Sequence, residues 1–149
     1  MDEHPLFLSD KMAKCDAVLL TVTDALHPQV LRARLLRIYC AGKAIQAAQE
    51  GDEIEFVHAP AVYGNVAIQV GETAVLFLSD ISGRWYEDAW RGHMVVEDID
   101  GVPHAIFPHL VVSANAASPS SRSIQDPKRA YARAIALDDL ERYLRALAP

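Results

Sequence analysis

The chain has only two cysteines, Cys15 and Cys40, in 149 residues. That excludes a disulfide-dense scaffold and any four-cysteine zinc site. Its seven glycines are widely spaced, and none forms G-x-G-x-x-G or a Walker pattern. The nucleophile and zincin motifs G-x-S-x-G, S-x-x-K and H-E-x-x-H are missing as well. Long apolar runs are lacking: the uncharged apolar-rich stretch at residues 59–71 contains Pro60, Tyr63, Gly64, Asn65 and Gln69, which excludes a membrane-spanning helix there. Positive charge is scarce, with 14 basic against 20 acidic residues and a net charge of −6. Wholesale binding of nucleic acid or anionic lipid is therefore disfavoured. The first charges, Asp2 and Glu3, are acidic, and Leu6-Phe7-Leu8 runs at once into Ser9-Asp10-Lys11. No signal peptide is read there, and the expected compartment is the cytoplasm.

What is present is an ordinary globular composition, 51% hydrophobic and 23% charged, in a chain long enough for one domain with a real core. Charge is uneven: residues 1–115 carry 8 basic and 16 acidic side chains, and residues 116–149 carry 6 and 4. The join, SANAASPSSRS at Ser113–Ser123, reads as a linker or exposed loop. The expected organisation is a β-barrel domain over 1–112, a loop over 113–125, and a C-terminal helical segment over 126–149 packed on the barrel.

The acidic part reads as successive strands. Cys15–Thr23 is rich in aliphatic and β-branched residues. Val30–Tyr39 puts Leu31, Ala33 and Leu35 on one face and Arg32 and Arg34 on the other, with Arg37 opposite them if the strand is regular. Gly51–Val57 alternates acidic and apolar residues; Glu72–Leu78 reads as a buried strand, Ser79–Gly83 as a turn, and Trp85-Tyr86 as a short strand. Gly92–Glu97 and Val102–Phe107 flank Asp100-Gly101, a hairpin turn. Short strands at this spacing predict a sandwich or small barrel. Leu137–Leu147 places Leu140, Leu144 and Leu147 at helical spacing, with Asp138 and Glu141 as a capping box, and further helical turns are expected from Pro127. A symmetric hairpin between the first two strands pairs residues whose numbers sum to 55, which sets Cys15 opposite Cys40 and Val22 opposite Ala33.

The order CDAVLLTVTDAL, VLRARLLRIY, GDEIEFV and VGETAVLFLSDISGRWYE, followed by a hairpin, resembles the small OB-like β-barrels of uncharacterised bacterial proteins and, more loosely, the netrin-like barrels. The shared motifs, over residues 15–107, shape turns and packing and carry no catalytic group. The resemblance implies a mainly β fold, a small OB-like antiparallel β-barrel with a C-terminal α-helix, and no cofactor or reaction. No leader like that of the secreted members is read at residues 1–11, and none is expected.

Candidate binding residues are Trp85, Tyr86, Trp90 and Arg91, where three aromatics fall within six residues, and the basic pair Arg32 and Arg34. Trp, Tyr and Arg dominate protein interfaces, and aromatics on an OB-like face stack on bases. His93, His104 and His109 are weak candidates for a metal, with His93 facing His104 across the hairpin. The paired carboxylates, Glu87-Asp88 among them, read as solvated faces. The expected function is a non-enzymatic binding module with a protein partner. Single-stranded nucleic-acid binding is the alternative, and a metal-dependent enzyme the third reading.

Overall fold

The computed structural model describes residues 4–27, 29–42, 48–58, 66–88, 92–108, 121–129 and 132–148. Helix α1 (His4–Lys14) leads into β1 (Asp16–His27), β2 (Val30–Cys40), β3 (Glu53–Val57), β4 (Thr73–Ile81) and β5 (Arg84–Glu87). Then come β6 (His93–Ile99), β7 (Val102–Pro108), β8 (Ser121–Ser123), β9 (Ala132–Ala136) and α2 (Leu137–Leu147). Five strands close on themselves in the order β1-β2-β3-β5-β4 and back to β1. Every described pairing is antiparallel except the contact between β3 and β5. The protein is thus mainly β, a small closed five-stranded barrel consistent with an OB-like topology. Strand β6 joins the edge of β4 that β5 also uses, and β7, β9 and β8 extend the sheet outward.

The central strands are buried on both faces. Val18, Leu20 and Val22 of β1 and Ala74, Leu76 and Leu78 of β4 fill the barrel with Leu31, Ala33, Leu35, Ile54 and Phe56. The alternate residues Ala17, Leu19, Val75 and Phe77 point outward and are covered by Leu8 and Met12 of α1 and Leu140 and Leu144 of α2. That is why CDAVLLTVT and ETAVLFL read as near-continuous apolar runs instead of alternating. Leu140 and Leu144 are fully buried, as their spacing predicts.

The helix start differs from the expected capping box. Ala136 is the N-cap residue and makes no side-chain cap bond. Glu141 is instead buried and accepts hydrogen bonds from Arg37 and from the Tyr39 hydroxyl, tying α2 to β2. Arg145 lies over the Tyr39 ring, 5.5 Å from its centre. Among the described residues no helical turn follows Pro127; the Asp126 carboxylate accepts from the backbone N–H groups of Lys128 and Arg129, and β9 begins at Ala132. Of the expected linker, Ser121–Ser123 forms β8 and pairs with β9, and residues 113–120 lie outside the described residues.

The β1–β2 hairpin keeps the expected register only in its middle, at Leu20–Leu35, Thr21–Arg34 and Val22–Ala33. Bulges then shift it, so that Arg37 faces Leu19 and Cys40 faces Ala17. The bulge at Leu36 carries Arg37 to the outer face it shares with Arg34, where it reaches α2. Cys15 precedes β1 and is not Cys40's partner; both are buried thiols. Strand β4 runs on to Ile81, and its turn is only Ser82-Gly83, both at positive φ (55° and 80°). Asp100-Gly101 repeats that geometry between β6 and β7, as expected.

Candidate functional site

Period-two alternation carries three ionisable side chains into the barrel. In β3, Ile54 and Phe56 point inward, and His58 follows in the same phase. In β5, Glu87 faces Leu78, and at the start of β6 His93 faces Leu76; both leucines belong to the barrel core. The three side chains meet at exposures of 4, 1 and 2% for His58, Glu87 and His93. His58 Nδ1 bonds one Glu87 oxygen, and His93 Nδ1 lies 2.5 Å from the other. Phe56 meets the His58 ring edge-on at 6.2 Å, and the two imidazoles are 5.2 Å apart. Gly92 is a steric necessity beside them, because a Cβ there would run into Glu87 Cγ and the Asp88 carbonyl oxygen.

The outer ring nitrogens fix the protons. The Ile68 backbone N–H donates to His58 Nε2 at 3.0 Å, so that nitrogen carries a lone pair. The His58 proton is therefore on Nδ1 and is donated to Glu87. His93 Nε2 lies 2.8 Å from the Val66 carbonyl oxygen and must donate to it. Its Nδ1 faces a carboxylate oxygen at 2.5 Å, so one proton lies between His93 and Glu87. Burial pushes the Glu87 carboxyl up, but the hydrogen bonds and charge of His58 and His93 outweigh it and hold the carboxyl down at about 2.

The three residues are also a donor set of the kind metals use. Two features fit a hydrogen-bonded cluster better. A metal on His58 Nδ1 would require Nε2 to carry the proton, and Nε2 is receiving one from Ile68. Two ligands about 2.1 Å from a tetrahedral ion stand roughly 3.4 Å apart, well beyond the 2.5 Å between His93 and Glu87.

Of the expected metal candidates, His93 therefore joins His58 and Glu87, not His104. His104 faces Glu97 across the hairpin, and its Nδ1 lies 2.7 Å from the Val102 carbonyl. His109 lies outside the described residues. Nor is Glu87-Asp88 a solvated pair: Glu87 is buried, and Asp88 holds the buried Lys11 of α1 and accepts from Ser79 at 3.0 Å. His58 and Glu87 were missed in the sequence. The alternation of GDEIEFVH and of Trp85 with Glu87 carried a signal for their facing inward.

Part of the expected binding surface collects where β3 approaches β5, beside the Arg32–Glu55 pair, around Trp85, which packs against the barrel core. An open cleft of about 530 Å³ is lined by Arg32, Ala48, Glu53, Ile54, Glu55 and the half-buried Trp85. Arg32 pairs with Glu55 at 3.2 Å, and Arg34 with Glu53 at 3.7 Å, each directly across the ladder. Tyr86 alternates away from Trp85 on β5, facing Ser79. Trp90 and Arg91 lie outside the described residues. A second open cleft, of about 460 Å³, lies beside the β1–β2 turn, with His58 in its wall and Leu26, His27 and Val70 around it. Among the described residues no helix is long and apolar enough to cross a membrane. No protein-family model, curated protein or solved structure matches this chain detectably.

Proposed function

We propose that the chain is a non-enzymatic binding module, an OB-like barrel of the kind found in small bacterial proteins, taking a polypeptide partner along the β2–β3 ladder and into the cleft beside Trp85. The reading rests on the cleft at Trp85, where an aromatic and an aliphatic floor is bordered by both signs of charge. A nucleic-acid strand needs cations in excess to replace its counterions. Here Arg32 and Arg34 each stand opposite a glutamate. An extended segment with alternating charges would meet complementary partners along this ladder, with Trp85 and Arg32 as anchors. A cytoplasmic location belongs to the same reading, supported by two buried thiols. Single-stranded nucleic acid is the second reading, favoured by an aromatic on an OB-like face.

Selection from a random peptide display library tests the two against each other. The protein reading expects enriched mixed-charge peptides whose affinity falls about tenfold or more in Arg32→Glu, a change within the usual range for interface anchors. Fluorescent oligothymidylate at low salt supplies the other arm. Saturable oligothymidylate binding without peptide enrichment would transfer the function to nucleic acid, and no binding in either arm would remove this face as a binding site.

A further inference from the structure

We propose that the His58–Glu87–His93 cluster is a proton-operated latch that holds the chain at Val66–Ile68 and so sets the wall of the cleft beside the β1–β2 turn. The inference is independent of the binding face proposed above. It follows from counting ring protons. Three acceptors face the imidazoles: two Glu87 oxygens and the Val66 carbonyl oxygen. The fourth ring position, His58 Nε2, already receives the Ile68 N–H. Satisfying all three acceptors takes three ring protons, and two neutral histidines carry only two. The latch places the third proton on His93, a cation balanced by the Glu87 carboxylate inside an apolar barrel.

When that proton leaves, one acceptor must face a ring lone pair. The charge-assisted bond to Glu87 is the stronger of the two that His93 makes. Val66 is therefore the partner released. The same three-residue stretch also gives Ile68 to His58, and Ala67, Ile68, Gln69 and Val70 line the cleft. Loss of the Val66 bond loosens this wall at its start.

Few other titratable groups face the cluster among the described residues. The 66–72 stretch offers backbone groups, and its half-buried Glu72 is taken by the Gln69 N–H. His27, from the β1–β2 side, is exposed in the cleft lining. The Lys11–Asp88 pair lies on the outer face, under α1. Asp16 of β1 is fully buried and faces Leu78 in the same inward phase as Val18 and Leu20, so it is a second acid on this side of the barrel. The ring-proton count itself concerns the groups bonded to the two imidazoles, which among the described residues are Glu87, Val66 and Ile68.

Nitrogen-15 NMR of the imidazoles, with amide hydrogen exchange, tests this on the intact protein. At pH 6 the spectra should show His93 with both nitrogens protonated and His58 as the Nδ1–H tautomer. As His93 loses a proton at higher pH, exchange protection of the Ile68 amide should fall about tenfold, corrected for the intrinsic rate. The Leu20 amide in β1 should keep its protection. In His93→Gln, which retains a donor for Val66 and cannot titrate, Ile68 protection should be independent of pH. A neutral His93 at pH 6, or Ile68 protection that stays level through the titration, would overturn the latch. So would a His58 Nδ1 resonance displaced by stoichiometric zinc, which would make the cluster a metal site. The wild-type titration stands alone should the variant fail to fold.

Discussion

Val57 faces Tyr86 in the parallel contact between β3 and β5, and the residue that follows each of them, His58 and Glu87, join in a hydrogen bond. Closure of the barrel and assembly of the buried cluster are therefore one event. A parallel pair keeps successive residues in step along both strands. The contact that seals the barrel thus brings an acid beside a base.

Replacing Gly92 tests how tightly this corner is built. Gly92→Ala would drive a methyl group into Glu87 Cγ and the Asp88 carbonyl oxygen. The expected loss is about 2 kcal/mol or more in urea unfolding, typical of overpacking. The cluster's imidazole resonances should shift as well. A variant of wild-type stability and spectrum would show that Glu87 has room to move.

Acid should weaken the protein through Glu87. Its carboxyl is held at about 2 in the fold, against an ordinary value of 4.5. The stabilisation is complete above pH 4.5 and is lost as pH falls toward 2. The loss is on the order of 3 kcal/mol. Urea midpoints from pH 6 to 2 should fall less steeply in Glu87→Gln than in the wild type. Parallel curves would mean that Glu87 contributes nothing to acid stability.

The C-terminal helix should be fastened by its leucines. Leu144 is fully buried between α2 and the barrel wall. Leu144→Ala is expected to cost about 3 kcal/mol. A loss below about half a kcal/mol in denaturant unfolding would show that α2 adds little to the fold.

Glu141 should behave as a charge that depends on Arg37. Its side chain is 6% exposed, against 44% for Arg37. Arg37→Met leaves a buried carboxylate with the Tyr39 hydroxyl and should cost about 1–3 kcal/mol. The double variant Arg37→Met/Glu141→Leu should recover most of that loss. Additive single losses in the mutant cycle would mean that the pair is not coupled.

The two thiols should be silent in the native protein. Burial above all, with the nearby Asp88 charge, pushes the Cys15 thiol up to about 11, and Cys40 is buried. Ellman's reagent at pH 8 should find neither until denaturant is added. Rapid native labelling at either position would contradict the packing under the helices.

Much of the barrel was legible from residue order alone. The period of two in Val30–Leu35 and GDEIEFV, the Asp100-Gly101 turn and the leucine spacing of α2 are local signals, and each became the structure they indicate. Failures arose where a neighbour decides. The bulge at Leu36 turns Arg37 outward because α2 offers Glu141 there. Helix α1 was missed, although Leu8, Met12 and Cys15 have helical spacing, because its partner surface is formed by distant strands. The histidine cluster joins positions 58, 87 and 93 through closure of the barrel, and pairing across it has no mark in the local sequence.

The double-sided burial of β1 and β4 has a consequence for how the chain is made. Synthesis runs from the N-terminus, so both strands leave the ribosome well before Leu140 and Leu144. Until α2 arrives, Leu19, Val75 and Phe77 have, of the two described helices, α1 alone to cover them. The nascent barrel therefore passes through an interval with one adhesive wall, and chaperone demand should peak just before the last eleven-residue helix emerges.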